Sequence, residues 1–374
     1  MYSDVVSLAQ KFLAFDNTNP PGNEKDIALF TGELLRTAGF DIKYYEYGES
    51  RLNLVAEREL CVEKAPIVLS GHFDTVPVGS QKWTVNAFSG EVSNGKIWGR
   101  GSSDMKGAIA AMISAAKEVF GQASPSGGVR FIFTSDEEPG CLGISDLLKN
   151  HSELGNASAI IIGEPTSNLP ASGHKGALYL KAKITGRTAH SSMPHLGDNA
   201  IYKSARHILQ LSKYDFRAEK DPLLGFPTIN IGMIRGGKNI NSVPDYAEYT
   251  VDVRSTPKVD HVEILEGLIK ATGGEAEFET LADLAPVCTS ETDPFIMLVH
   301  DICDSCCHEQ KYPVALPYLT EGSVFRKYYR DTPVIILGPG QPEMAHQINE
   351  FCYIDKLKES VNIYRDIILK WSKR

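Results

Sequence analysis

The feature that most constrains this chain is a short apolar run that stops at a histidine and an aspartate. Residues 67–69 read Ile-Val-Leu, which is typical of a buried β-strand, and Gly71, His72 and Asp74 follow. In an open α/β sheet, ligands bind just beyond the carboxyl ends of the strands. His72 and Asp74 would share one face there, so the carboxylate can orient the imidazole and leave its second nitrogen for a metal ion. A capped strand end with two solvated side chains is an equally simple interpretation of this stretch alone.

A second informative stretch is a glycine-rich turn that precedes an alanine-rich run. The turn, residues 99–107, reads Gly-Arg-Gly-Ser-Ser-Asp-Met-Lys-Gly, and residues 108–120 predict a buried helix. Asp104 lies in this turn and follows a weak candidate strand. It is either a helix N-cap, a position that Asp commonly fills, or a metal ligand.

Further predicted strands are also followed by acidic or imidazole side chains. Residues 129–133 lead into three adjacent carboxylates, which repel one another unless a cation is bound; a solvated acidic turn is the alternative. In all, the metal-capable residues beyond predicted strands are His72, Asp104, Glu137 with Glu138, Glu164 and His346. Each has an ordinary structural explanation, but together they predict two divalent ions, most simply zinc, with one bridging carboxylate. Paired ions of this kind are typical of aminopeptidase-type hydrolases.

Length and charge restrict the class of protein. With 374 residues, the chain exceeds the size at which a single core usually stops growing, so two domains are predicted. The formal net charge of −9 disfavours nucleic acid and anionic membranes as partners. No apolar run approaches the length of a membrane span, and the first residues lack the basic start of a signal peptide. We therefore predict a cytoplasmic protein.

The cysteines do not resemble a disulfide framework, because seven is an odd number in a long chain. Cys303, Cys306, Cys307 and His308 cluster on a predicted helix over residues 294–310. A zinc site is one interpretation of this cluster, and its spacing is wrong for c-type haem. We favour structural thiols, since free cysteine packs as a small hydrophobic residue.

Residues 177–285 differ in pattern from the rest of the chain. Apolar residues alternate there in several stretches and two helical runs intervene, which predicts a four-stranded sheet with two helices on one side. The predicted organisation is an α/β domain formed by residues 1–176 and 286–374, with 177–285 inserted as an α+β domain. His190 is a candidate functional residue of the insertion, although a surface side chain is the simpler interpretation.

Four motifs together resemble those of a known family. They are Gly-His-Phe-Asp-Thr-Val-Pro at 71–77, Gly-Arg-Gly-Ser-Ser-Asp-Met-Lys-Gly at 99–107, Asp-Glu-Glu at 136–138 and Gly-Glu-Pro-Thr at 163–166. They are similar to motifs of the acetylornithine deacetylase, succinyl-diaminopimelate desuccinylase and aminoacylase family of two-zinc amidohydrolases, over nearly the whole chain. The resemblance implies a catalytic domain with helices around a mostly parallel, zinc-peptidase-like sheet. It also implies an inserted lid domain through which homodimers often form.

The resemblance implies a role for each candidate ligand. Asp104 would bridge two divalent ions, most simply Zn2+, with Co2+ as an alternative. His72 and Glu164 would hold one ion, and Glu138 and His346 would hold the other.

The resemblance also implies roles in catalysis and substrate binding. Glu137 would act as general acid and base, Asp74 would orient His72, and His190 would help to stabilise the oxyanion. The implied substrate-binding residues are Asn241, Arg254 and Gly322. A guanidinium suits a substrate carboxylate because it donates two parallel hydrogen bonds.

Within the family, several motifs are most similar to the deacetylases. These are residues 163–167, 174–176, 319–322, 337–340 and 345–347. The desuccinylases usually show Thr-Ser-Asp-Gly where this chain has Thr-Glu-Gly-Ser at 320–323. Residues 348–350 read Ile-Asn-Glu where deacetylases often have Pro-Asp-Glu, so the acyl group and the amino acid stay open.

The resulting prediction is a zinc-dependent amidohydrolase that acts on a small N-acyl amino acid. Its preferred reaction is deacetylation of N-acetylornithine to ornithine and acetate, a step of arginine biosynthesis. An N-succinyl-diaminopimelate desuccinylase and a dipeptidase or carboxypeptidase of the same family are the alternatives. A catalytically inactive, metal-stabilised binding protein is a remote alternative, because Glu137, the implied general acid and base, is present beside the ligands.

Overall fold

The computed structural model describes residues 4–58, 65–122, 127–306 and 315–373. The helices in these ranges are α1 Val5–Leu13, α2 Lys25–Thr37, α3 Lys106–Gln122, α4 Leu142–Asn150, α5 Ala200–Leu211, α6 His261–Ala271, α7 Pro294–Cys306, α8 Gly322–Tyr328 and α9 Ile354–Trp371. The strands are β1 Asp41–Gly48, β2 Arg51–Arg58, β3 Ile67–His72, β4 Glu91–Ser93, β5 Lys96–Trp98, β6 Val129–Thr134, β7 Ala159–Ile162, β8 Gly173–His174, β9 Gly176–Thr185, β10 Thr228–Gly236, β11 Tyr246–Ser255, β12 Ala276–Leu284, β13 Val287–Cys288, β14 Ala315–Leu316, β15 Val334–Ile336 and β16 Phe351–Tyr353. Short 3-10 helices span Ser152–Leu154, Pro194–Leu196 and Pro342–Met344.

The chain divides into two compact units. The first comprises Met1–Gly173, Thr289–Ala315 and Thr320–Arg374, and the second His174–Cys288 with Leu316–Leu319. Among the described residues, no helix has both the length and the apolar character that a bilayer crossing requires.

The first unit is built on a six-stranded sheet in the order β1-β2-β6-β3-β7-β15. The pairs β6–β3, β3–β7 and β7–β15 are parallel, whereas β1–β2 and β2–β6 are antiparallel. Strands β3, β6, β7 and β15 are buried at every position, as expected for continuous Val- and Ile-rich runs covered on both faces. The predicted α/β class with a mostly parallel sheet is confirmed.

The parallel strands end at one edge of this sheet. The last residue of β3, His72, pairs with Thr134 at the end of β6, and Ile162 at the end of β7 pairs with Ile336 at the end of β15. Since the chain leaves each strand at this edge, the loops that follow are brought close together. Helix α3 packs against α1, α9 and β3 in the same unit.

The strand before Asp104 belongs to a different sheet. β5 lies between β16 and β4 in a small antiparallel sheet, and the turn that carries Asp104 connects β5 to α3. Asp104 therefore reaches the edge of the large sheet from a turn, which explains why the sequence predicted its strand only weakly.

The second unit contains a four-stranded antiparallel sheet in the order β10-β11-β9-β12, with α5 and α6. Buried residues alternate with partly exposed ones along β9 and β11, because one face of the sheet covers a core. The predicted four-stranded α+β segment is confirmed.

The cysteine cluster is described only in part. Helix α7 begins at Pro294 as predicted, and Cys303 is a buried residue on it. Cys307 and His308 lie outside the described residues, as does the rest of the predicted helix.

We expect the aromatic core of the large sheet to dominate the stability of the first unit. Phe131 is fully buried, and its ring centroid lies 5.3 Å from that of Phe40 and 5.2 Å from that of Phe133. Phe131→Ala should lower the free energy of unfolding by about 3–5 kcal/mol, because it leaves a cavity. Urea denaturation measures this change. The control Phe226→Ala, at a side chain that is 56% exposed, should change it by less than about 0.5 kcal/mol.

Candidate active site

His72 lies at the centre of a cluster of carboxylates at the carboxyl edge of the large sheet. Its side chain is buried, and Nε2 is 3.1 Å from Oδ1 of Asp104. The same nitrogen is 3.8 Å from Oε1 of Glu164 and 4.0 Å from Oε2 of Glu137. These side chains leave the ends of β3, β7 and β6 and the turn before α3, so the sheet edge brings them together.

Asp104 lies between the two histidines of the cluster. Its Oδ1 faces His72, and its Oδ2 lies 3.4 Å from Nε2 of His346. That nitrogen is also 3.0 Å from Oε2 of Glu138. His346 lies in the loop beyond β15 with a left-handed backbone, φ of 64°, and its imidazole faces these two carboxylates.

The predicted ligands therefore converge. Two overlapping groups of metal-capable atoms each fit within 4.8 Å, namely His72 with Glu137 and Glu164, and His72 with Asp104 and Glu138. His346 joins the cluster through Asp104 and Glu138. The division of the ligands between individual ions stays a prediction.

Burial makes the acidic side chains hard to ionise without a cation. Burial, reinforced by the neighbouring charge of Glu138, raises the pKa of Glu137 to about 8. Burial and the charge of Asp104 raise the pKa of Glu164 well above its usual range. A cation placed among these carboxylates would offset the mutual repulsion that adds to the effect of burial in both shifts.

The histidines stabilise only part of this negative charge. Hydrogen bonds to Asp104 and Glu138 raise the pKa of His346 to about 10. Burial alone would raise the pKa of Asp104, but hydrogen bonds from His346 and His72 outweigh it and lower that pKa. Asp104 can therefore be ionised between two imidazolium groups, whereas Glu138 shares only one of them.

The donor set fits divalent metal ions. Imidazole nitrogens and carboxylate oxygens are the ligands that zinc and similar ions take in catalytic sites. Glu138 gives specific evidence that an ion suits this site. Its Oε1 is buried and has no hydrogen-bond partner among the described residues. A buried carboxylate oxygen without a partner is costly, and coordination to an ion would satisfy it.

Asp74 holds the site together in two ways. Its main-chain oxygen lies 2.9 Å from Nδ1 of His72, which fixes the ring and leaves Nε2 facing the cluster. Its carboxylate lies 3.6 Å from the same nitrogen and accepts hydrogen bonds from the main-chain N–H groups of Glu137 and Glu138, at 3.0 and 3.2 Å. The carboxylate thus anchors the loop that carries the two glutamates.

Glu350 is a supporting residue that the sequence did not reveal. It is fully buried and accepts hydrogen bonds from the main-chain N–H groups of Gly101, Ser103 and Asp104, at 3.0, 2.8 and 3.1 Å. Arg100 donates to the same carboxylate at 2.7 Å. The turn that carries Asp104 is therefore fixed by a residue far along the chain, and no local pattern signals that pairing.

Glu321 is a second buried support. Its carboxylate accepts hydrogen bonds from Ser70 at 2.9 Å and from Thr134, which lie near the ends of β3 and β6. Gly322, a predicted substrate contact, is buried as the first residue of α8 and follows Glu321 directly. Its role stays a prediction.

The other predicted substrate residues lie in the second unit. His190 is exposed, and its Nδ1 lies 2.8 Å from Oγ of Ser192. Asn241 is also exposed. On β11, Arg254 pairs with Asp252, with 2.9 Å between Nε and Oδ1. The roles of His190, Asn241 and Arg254 stay predictions.

Comparison with known proteins identifies the family. The sequence model of the peptidase family M20/M25/M40 matches residues 68–370, so the chain belongs to that family and is a metal-dependent hydrolase. A probable succinyl-diaminopimelate desuccinylase of Staphylococcus epidermidis is 31% identical over 379 aligned positions, covering 92% of each chain. An acetylornithine deacetylase of Vibrio atlanticus is 29% identical over 368 positions, covering 94% of this chain and 92% of its own.

Solved structures share the fold. An M20 family metallo-carboxypeptidase of Sulfolobus solfataricus has a TM-score of 0.78 at 20% identity, with all of both chains covered. A dinuclear metal binding peptidase of the M20 family from Bacillus subtilis has a TM-score of 0.73 at 15% identity, covering 99% of this chain and 98% of its own. At these identities the likeness concerns the fold alone.

We expect His346→Ala to remove one ion and leave the other. The substitution deletes the imidazole that faces Asp104 and Glu138, so one zinc equivalent should bind at least about 10- to 100-fold more weakly. Metal analysis after dialysis, with isothermal titration, measures this loss. The control His151→Ala, at a histidine bonded to Glu153, should bind zinc like the unchanged protein. Two tightly held equivalents in His346→Ala would contradict the assignment.

Proposed function

We propose that this protein is a two-metal amidohydrolase that removes the acyl group from a small N-acyl amino acid. The observation that carries the proposal is the convergence of five carboxylate and imidazole side chains, of which Asp104 is the central one, with Glu137 beside them. N-Acetylornithine is the first candidate substrate, as the motif resemblance implies, and the named deacetylase relative supports it. N-Succinyl-diaminopimelate is the second, because several relatives at 30–31% identity carry the desuccinylase name.

The proposal gives separate tasks to the two adjacent glutamates. Glu138 would hold an ion together with His346, which it contacts at 3.0 Å. Glu137 would move the proton. Its Oε1 accepts a hydrogen bond from the thiol of Cys141 at 3.3 Å, while Oε2 faces His72.

Divalent ions bound by this cluster would polarise the amide carbonyl and lower the pKa of a water molecule. Glu137 would accept the proton of the attacking water at Oε2 and then donate it to the leaving amine nitrogen. Asp74 would keep the loop of Glu137 and Glu138 in place, because its carboxylate accepts hydrogen bonds from their two main-chain N–H groups.

The remaining assignments rest on the family resemblance. His190 would help to stabilise the oxyanion, and the substrate carboxylate would be bound by Arg254, Asn241 and Gly322. Zinc is the proposed ion, with cobalt as a substitute. We further propose a cytoplasmic enzyme of arginine biosynthesis that forms homodimers through the lid formed by residues 177–285.

The proposal is tested by a substrate panel. The metal-loaded protein is assayed with N-acetylornithine, other N-acetyl and N-formyl amino acids, N-succinyl-diaminopimelate and simple dipeptides, and release of the free amine is measured. We expect the highest kcat/KM for N-acetylornithine. Preference for the succinyl compound would select the second candidate, and preference for dipeptides would replace deacylation by peptidase activity.

Glu137→Gln should separate proton transfer from metal binding. The amide keeps the shape of the side chain but cannot take a proton, so kcat should fall by at least about 10²-fold while both ions stay bound. Steady-state kinetics and metal analysis of the same preparation measure the two effects. Glu138→Gln is the matched control and should instead lose metal. A near-normal rate in Glu137→Gln would remove Glu137 from this role.

A further inference from the structure

Two arginine–carboxylate pairs lie at opposite ends of the antiparallel pair β2–β6. At the end remote from the site, Arg130 contacts Glu57 through two bonds, with Nε and Nη2 at 2.7 and 3.0 Å from the carboxylate oxygens. At the site end, Arg51 begins β2 and pairs with Asp136, which lies two residues beyond β6. Both arginine side chains are largely buried, at 4% and 13% exposure. The two pairs are chemically alike, but only one borders the candidate active site.

The ion pair at the site end closes a network of hydrogen bonds that includes Asn19. Nη2 of Arg51 donates to Oδ1 of Asn19 at 2.9 Å and also to the main-chain oxygen of Pro21. The amide nitrogen of Asn19 in turn donates to Asp136 at 2.8 Å and to Oδ2 of Asp74 at 2.9 Å. One guanidinium and one amide thus connect two carboxylates that lie in different loops.

These two carboxylates determine how the loop of the glutamates leaves the sheet. Asp136 has a left-handed backbone, with φ of 62°, which a non-glycine residue rarely adopts without support. The next two main-chain N–H groups, of Glu137 and Glu138, donate to Asp74. Asp74 also fixes the ring of His72. The network therefore joins the histidine side of the cluster to the glutamate side.

We propose that Arg51 is a positioning residue for the metal centre. Acting through Asn19, Asp136 and Asp74, it sets the distance between His72 and the loop of Glu137 and Glu138. The inference rests on the proposed function for its kinetic consequence, whereas its consequence for metal binding does not depend on the substrate.

The chemistry of the network requires a guanidinium. Arg51 forms an ion pair with Asp136 and donates hydrogen bonds to Asn19 and Pro21 at the same time, and a planar group with several fixed donors can do so. A lysine would keep the positive charge, but its ammonium group is a compact point charge without the planar set of donors. Glu24 adds a second reason for a cation here, since its fully buried carboxylate lies 3.9 Å from Nε of Arg51.

The test compares Arg51→Lys with Arg130→Lys in the full chain. Both substitutions keep the positive charge and remove the planar guanidinium. Arg51→Lys loses the hydrogen bonds to Asn19 and Pro21, and Arg130→Lys loses the two bonds to Glu57. Three quantities are measured: the visible absorption spectrum of the Co2+-loaded protein, the zinc affinity, and kcat and KM on the best substrate of the panel. Thermal unfolding of each variant is recorded in parallel.

For Arg51→Lys we expect an altered cobalt spectrum and zinc binding about 10- to 100-fold weaker. We also expect kcat to fall by up to about 10²-fold with little change in KM, because displaced groups still admit substrate. Arg130→Lys should leave all three quantities unchanged, even if its thermal unfolding midpoint falls as far as that of Arg51→Lys. A second variant, Asn19→Ala, keeps the Arg51–Asp136 pair but removes the link to Asp74 and should change the same quantities.

Several results would overturn the proposal. An unchanged cobalt spectrum and zinc affinity in both Arg51→Lys and Asn19→Ala would do so, as would equal effects from Arg130→Lys. Loss of the folded state in both site variants would also overturn it, since the network would then be required for folding and not specifically for the metal centre. If the unchanged protein hydrolyses no member of the panel, the proposed function fails, and the metal measurements still decide the role of Arg51.

Discussion

The structure of the first unit depends on one electrostatic constraint, the gathering of more carboxylates than the nearby histidines can balance. Asp104 is ionised between two imidazoles, whereas burial raises the pKa of Glu137 and of Glu164. Such a cluster is costly in a low-dielectric interior unless cations are bound. The same charge that would destabilise an ordinary core makes this edge of the sheet suited to divalent cations.

The fold meets this constraint by fixing main-chain groups with a second set of buried acids. Asp74 anchors the loop of the glutamates, and Glu350 anchors the turn of Asp104. Glu321 joins the ends of β3 and β6 beneath the cluster. These acids bind main-chain N–H groups, hydroxyls and the side chains of Asn19 and Arg100, so the ligand side chains stay free to face one another. Ligands held in this way lose little conformational entropy when an ion binds.

Much of the site could be predicted because its signals are local. Apolar runs identify β3, β6, β7 and β15, and parallel strands in one sheet bring their following residues together. The supports could not be predicted in the same way. Asn19 lies in a Pro- and Gly-rich break that looks like an ordinary loop. Glu350 was only the last residue of a motif whose first two residues, Ile348 and Asn349, depart from the family pattern. The roles of Asn19 and Glu350 depend on partners 55 and 246 to 249 positions away, which no periodicity encodes.

By itself, the sequence determined the α/β class, the inserted four-stranded segment and the types of metal-capable side chain at each strand end. It could do so because hydrophobic periodicity and strand-end chemistry are properties of neighbouring residues. Only the tertiary structure decided which atoms face one another: that Oδ1 and Oδ2 of Asp104 each face one histidine, and that Arg51 connects Asp136 to Asn19. Those contacts join residues that are remote in the chain, and they exist only after the sheet and its loops have packed.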